Sequence, residues 1–247
     1  MDTGLIITIL IIIFFSTLTR STFGFGDALI AMPLLALFID IKTPVPLIAL
    51  IAFFIAFSIL IKNIRKVEFK SAWRLILSSL FGIPIGLWYL EDINEQIIKL
   101  ILGIIVLIFA LYSLLKPRLH KLKTEHYAWF FGFFAGILGG AYNTNGPPIV
   151  IYSSLKKWKP ENFRATLQGY FFTTGILVIA GHTFAGNISS EVLNYFAICL
   201  PVVFLAIIIG ARLNKKIPIV RFHKYIYILL ILLGIILIIN AVNSFVQ

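Results

Sequence analysis

The sequence predicts an all-α polytopic membrane protein of two inverted repeats, each a broken or re-entrant helical hairpin followed by three transmembrane helices. Three observations carry that expectation. Hydrophobic residues make up 60% of the chain and charged ones only 13%, against about a quarter charged in a soluble domain, and the mean hydropathy is +1.01. The charges gather in short clusters between long uncharged runs. The longest run, Tyr127 to Leu155, carries in its middle the string Gly139 to Pro148, GGAYNTNGPP, which is unfit for a continuous helix. Glycines cost helix stability, and two successive prolines remove donors and clash with the preceding turn.

The first apolar run, Thr3 to Thr19, has no basic stretch before it and no small-residue cleavage site after it, so it reads as mature protein rather than a signal peptide. It ends in the polar string Ser16 to Thr22, followed by Phe23-Gly24-Phe25-Gly26-Asp27, before apolar sequence resumes from Ala28 to Ile39. Further uncharged runs are Thr43 to Ile61, Leu75 to Leu90, Leu100 to Leu115, Ala165 to Ser190, Val192 to Ala211 and Tyr225 to Gln247. A bilayer core needs about 20 helical residues, so these six suit single spans. The run from Tyr127 does not: its limbs, Tyr127 to Gly140 and Pro147 to Leu155, are each too short to cross at about 1.5 Å per residue.

Charge sets direction. Lys62, Arg65, Lys66, Lys70 and Arg74 stand against Glu68; Lys116, Arg118, Lys121 and Lys123 against Glu125; Lys156, Lys157, Lys159 and Arg164 against Glu161. Arg212, Lys215, Lys216, Arg221 and Lys224 form a fourth basic cluster with no acid, so that 18 of the 21 bases fall on one face, the cytoplasmic one. Glu91, Asp92 and Glu95 with Lys99, and the lone Glu191, mark the opposite face. The Tyr127 run therefore enters and leaves by one face, as a re-entrant hairpin with its tip near mid-membrane. Pro33 and Pro148 stand 115 residues apart, each after a glycine-containing break and before an apolar limb, a short proline-bearing link and three spans. A hairpin plus three spans is an odd number of crossings, so consecutive copies insert upside down relative to each other. The first repeat covers 1–115 (hairpin 4–39, spans about 43–62, 72–90 and 97–115) and a cytoplasmic linker covers 116–125. The second repeat covers 126–247 (hairpin 127–156, spans about 163–186, 191–211 and 223–245). Whether the first 39 residues form a hairpin or cross the membrane stays open at this point.

Other classes fit poorly. The net charge of +11 lies in loops between spans rather than on one exposed face, which suits a membrane and not a nucleic acid. One cysteine, Cys199, allows no intrachain disulfide, and His120, His126 and His223 show no metal-ligand spacing, so neither a metal nor another cofactor is expected. No HExxH, GxSxG, Walker or CxxC motif is present and the carboxylates are not paired, so the chain does not read as an enzyme. Gly132, Gly136 and Gly140, and Gly82 with Gly86, have the every-fourth-residue spacing that lets helix backbones approach.

The stretches Gly24-Phe25-Gly26 to Pro33-Leu34-Leu35, Gly132 to Pro148 (GFFAGILGGAYNTNGPP) and Phe163-Arg164-Ala165-Thr166 resemble the paired signatures of the sulfite exporter family (TauE/SafE, also called TSUP). Each motif is loose, but together they span nearly the whole chain. Two features depart from the usual pattern: Asp27 stands where a further glycine is common, and Tyr142-Asn143-Thr144-Asn145 replaces a more glycine-rich turn. The resemblance implies a multi-pass permease of the inner, cytoplasmic membrane for small sulfur-containing or organic anions.

The residues point to the same chemistry. Pro147 or Pro148 suits a first helical position, which sets the positive end of a helix dipole at the hairpin tip, where free N–H groups bind anions. Pro33 would play the matching part, unless Asp27 caps a helix that Pro33 then kinks. Arg20, a basic residue deep in an apolar region, either pairs with a substrate oxyanion or closes the turn with Asp27. Asp27 is also a candidate for coupling to a proton or sodium co-ion. Asn143, Thr144 and Asn145 offer amides and a hydroxyl to a ligand or else close the turn, and Gly146, Pro147, Gly24, Gly26 and Thr22 complete the expected substrate-binding set. Gln168 and His182 share one helix face with Gly175 and are candidates for lining the path. The expected partners are a small anion and the bilayer; a homo-oligomer is left open.

Overall fold

The computed structural model describes residues 3–61, 64–115, 122, 124–158, 160–214 and 219–246. Most of the 116–125 linker, with His120, and the bases Lys62, Lys116, Arg118, Lys121, Lys123, Lys159, Lys215 and Lys216 lie outside the described residues. Among those described, every long element is an α-helix: α1 (Thr3–Phe23), α2 (Asp27–Leu35), α3 (Pro44–Leu60), α4 (Phe69–Asp92), α5 (Glu95–Leu115), α6 (Tyr127–Tyr142), α7 (Gly146–Lys156), α8 (Pro160–Phe184), α9 (Ser190–Leu213) and α10 (Ile219–Val246). Helices are what an apolar chain forms in lipid, because each satisfies its own backbone donors and acceptors. Five of them, α1, α4, α5, α9 and α10, are long and apolar enough to cross a membrane. Helix α3 has 17 residues. Helix α8 is long but carries Gln168 and His182, both fully buried, so its polar face turns to protein rather than lipid.

The chain breaks where its glycines and asparagines allow. The polar string Ser16 to Thr22 does not end α1, because its hydroxyls bond back along the helix: Ser16 to the Ile13 carbonyl at 3.1 Å, Thr19 to Phe15 at 2.8 Å and Thr22 to Leu18 at 2.7 Å. The first limb is thus a 21-residue helix, long and apolar enough for a full crossing. The turn comes at Gly24 and Gly26, with φ of 95° and 102°, which only glycine adopts without strain. In the second break Asn143 takes the left-handed conformation at φ 52°, one that asparagine tolerates.

One expectation is corrected here, in favour of the alternative of a helix that begins at Asp27 and contains Pro33. Pro33 does not start a helix: it lies in the last turn of α2, whose first residue is Asp27, so Pro33 and Pro148 are not equivalent positions. Only the second break sets prolines at a helix start, Pro147 and Pro148 following Gly146 in the first turn of α7, where missing N–H groups cost nothing. Each break is also tied to the end of a neighbouring helix. The Thr22 carbonyl accepts from Asn214, which caps the end of α9. The Tyr142 hydroxyl donates to the Ile98 carbonyl, in the first turn of α5, at 3.1 Å.

Packing is reciprocal. Helix α6 packs most closely on α4, and α1 on α9; α5 lies against α10 and α3 against α8. Backbones touch at glycines. A Cβ on Gly136 would stand 2.8 Å from the Ser79 Cα and 3.1 Å from the Gly82 Cα, and one on Gly140 3.1 Å from the Gly86 Cα. Gly132, Gly136 and Gly140 thus mesh with Gly82 and Gly86 as a small-residue seam. Ser79 crosses the same seam to the Gly132 carbonyl at 2.7 Å and to the Tyr170 hydroxyl at 2.6 Å. Gly103 and Gly234 make a second close approach between α5 and α10.

Gly136→Val should force α4 and α6 apart at a cost of about 1–3 kcal/mol or more and lower the melting temperature of the detergent-solubilised protein. Gly169→Ala, whose Cβ would meet its nearest neighbour, Val67, at an ordinary 3.5 Å, should leave it near the native value. Equal melting of the two variants would contradict this packing.

Candidate functional site

Both chain breaks reach one cavity. Its volume is about 20 Å³, and it is lined by Arg20, Gly26 and Asp27 from the first break and by Asn143, Thr144, Asn145 and Gly146 from the second. The remaining wall is Ala28 and Leu29 of α2, Ala49 and Ala52 of α3, and Phe171 and Gly175 of α8. Space of this size suits about one water and is too small for an anion of several heavy atoms.

Arg20 dominates the chemistry. It is 2% exposed, its Nη1 donates to Asp27 Oδ2 at 2.6 Å, and its Nη2 and Nε reach Gln168 Oε1 at 3.2 and 3.4 Å. Its Cζ lies 4.6 Å from the centre of the Phe171 ring, within cation–π range. Gln168 in turn donates to the Gly24 carbonyl at 2.6 Å, so the first break, Arg20 and α8 are bonded into one unit. These contacts engage three of the five guanidinium N–H donors and leave one on each Nη. The ion pair neutralises the charge, while the planar fork keeps capacity to donate.

The second break adds donors. The Thr144 hydroxyl is buried without a partner among the described residues, and Thr144 lines the cavity. A lone buried hydroxyl is costly unless something fills its hydrogen bond. The Asn145 amide donates to the Thr174 hydroxyl at 3.4 Å, and no side chain caps the start of α7. Gly146 opens that helix on the cavity wall, so the positive end of the α7 dipole is turned to the same space.

Not every expected residue gathers there. Thr22, Gly24 and Pro147 are off the cavity wall: the Thr22 hydroxyl bonds to Leu18, and Gly24 contributes its carbonyl to Gln168. Gln168 holds Arg20 from behind, and His182 lies farther along α8 in a different network. Phe171, Ala49 and Ala52 were not anticipated. Phe171 had a signal, since it lies three residues after Gln168 and four before Gly175, on the face already marked by Gln168, Gly175 and His182. Arg164 reads as one more loop base, yet its guanidinium donates to the Ser21 carbonyl and its Cγ fills the space beside Gly24, where an added Cβ would lie 3.1 Å away.

Comparison with known proteins agrees with this architecture. No solved structure matches the chain. A relative from Cupriavidus necator, described as a probable sulfite/organosulfonate exporter TauE, is 25% identical over 182 residues, which cover 70% of this chain and 71% of that protein. The model of the sulfite exporter TauE/SafE family matches residues 9–237, both breaks and the helices around them included. On that match the chain is a multi-pass membrane protein that belongs to the sulfite exporter TauE/SafE family.

Proposed function

We propose that this protein is a secondary carrier that moves a small sulfur-containing anion, sulfite or an organosulfonate, out across the cytoplasmic membrane by alternating access. The observation that carries the reading is the convergence of two distant chain breaks on one buried cavity, with Arg20, the unpartnered Thr144 hydroxyl and the start of α7 at its wall. These are donors and a positive dipole end, the chemistry that an oxyanion needs. The family and the named relative supply the substrate class.

Two halves, 1–115 and 126–247, form the moving parts. The reciprocal packing supports this: α1 meets α9 as α6 meets α4, while α5 pairs with α10 and α3 with α8, the pattern of an internal two-fold axis. Export is favoured because each negative charge leaving a cell with a negative interior gains about 2.3 kcal/mol per 100 mV. Asp27 is already balanced by Arg20 at 2.6 Å, which favours exit without a proton or sodium co-ion over coupled uptake.

Two variants in proteoliposomes test the site. Thr144→Val keeps the shape and removes a hydroxyl that no described protein group uses, so folding should be unaffected while KM for sulfite or taurine efflux rises about tenfold. Arg20→Ala alone would strand a buried carboxylate, so the informative variant is Arg20→Gln with Asp27→Asn, which keeps the site neutral. It should fold and lose most flux. Native flux in both variants would remove the cavity from the mechanism, and no flux of any of a broad anion panel by the native protein would count against a carrier.

A further inference from the structure

One face of α8 runs the length of the molecule through residues 164, 168, 171, 175, 178 and 182, at alternating intervals of four and three, the spacing of a single helical stripe. At the inner end Arg164 holds the Ser21 carbonyl and Gln168 holds Arg20. Phe171 and Gly175 line the cavity. Beyond Gly175 the character changes. Val178 belongs to a small apolar cluster with Ala49 of α3 and Ile83 of α4, separate from the main core and backed by Leu87. Ala49 also lines the cavity, so this cluster lids it on the side away from Gln168. Seven residues and about 10 Å along the helix from Gly175 stands His182, fully buried.

Over this lid lies a polar bridge. His182 Nδ1 is 3.2 Å from the Asn187 amide nitrogen, which also donates to Glu91 Oε1. Lys42 Nζ reaches Glu91 Oε2 at 3.3 Å and the Glu91 carbonyl at 3.2 Å. The bridge thus joins the loop before α3 and the end of α4 to the end of α8 and the loop that follows it. Beneath it Leu87 of α4 fills the space against Gly181, where an added Cβ would lie 2.2 Å from the Leu87 Cδ1.

We propose that this is the outer gate of the carrier: an apolar plug of Ala49, Ile83 and Val178 that keeps water from the cavity, held shut by the Lys42–Glu91–Asn187–His182 bridge. The inference rests on reading the cavity as the transport site. A dry constriction opens by separating its walls, and the bridge spans the elements that have to separate. The inner closure is of another kind, made of the Arg20, Gln168 and Arg164 hydrogen bonds. The two doors therefore respond to different groups, and the outer one can be loosened without touching the anion site.

Thiol accessibility tests this without needing substrate. Ala52→Cys, in a background carrying Cys199→Ala, places a thiol on the cavity wall outside the plug; labelling by impermeant, anionic sulfonatoethyl methanethiosulfonate is timed in right-side-out and inside-out vesicles. Glu91→Gln and Lys42→Gln should each raise outside labelling about two- to fivefold, as loss of a partly exposed, solvent-screened ion pair allows, and lower labelling from the inside. Lys99→Gln breaks the 2.7 Å pair with Glu95, which lies outside the bridge, and should change neither rate. Unchanged outside rates in both bridge variants overturn the gate. So does an equal rise from both faces, or the same rise in Lys99→Gln, since either would mean general loosening. The gating result with no anion flux in the native protein would count against the proposed function and leave the gate standing.

Discussion

The buried pair of Arg20 and Asp27 is the constraint on which the rest of the site depends. A guanidinium 2% exposed to solvent loses hydration that only close partners restore. Its partners come from two directions: Asp27, across the glycine turn, and Gln168, from the far half of the sequence. Meeting both requires the chain to reverse tightly at Gly24 to Gly26 and requires α8 to lie against that turn, which is where Gln168 takes the Gly24 carbonyl. Removing either partner leaves a charge or a fork of donors unsatisfied in an apolar bundle. The pair therefore fixes the geometry of the first break more firmly than hydrophobic packing does, because lipid tails are as apolar as the side chains beside them.

Class was the easiest property to read from the chain. Long uncharged runs with bases gathered between them define a polytopic membrane protein, and every long described element is helical. The string Gly139 to Pro148 is equally plain, since glycine, asparagine and two prolines act locally and need no knowledge of the neighbours. In the polar string Ser16 to Thr22 the hydroxyls turn back on their own helix, as hydroxyls in membrane helices commonly do, so the string forms the buried end of α1. Pro33 left two readings open, because a proline in the last turn of a short helix and one in its first turn have similar sequence surroundings and opposite meanings.

At the site, residues with unusual chemistry stood out and those with ordinary chemistry did not. Arg20, Asp27 and the Asn143 to Asn145 turn are conspicuous in an apolar sequence. Phe171, Ala49 and Ala52 are not, since nothing in their surroundings separates a cavity wall from any other packed face. Thr22 and Gly24 were drawn in by adjacency to the break, but one residue of rotation on a helix, or a carbonyl pointing to Gln168, takes a group off the wall. The seam of Gly132, Gly136 and Gly140 against Gly82 and Gly86 holds the second hairpin to the first half, and so settles how the two breaks stand relative to each other.

The central claim is that a sulfur oxyanion sits between the two breaks. Selenite, which shares the shape and charge of sulfite and scatters anomalously, locates it directly in crystals of the native protein. An anomalous peak within hydrogen-bond distance of the Arg20 guanidinium, the Thr144 hydroxyl and the Gly146 N–H is the result expected. A well-occupied peak confined to the basic loops, with the cavity dark, would contradict the account.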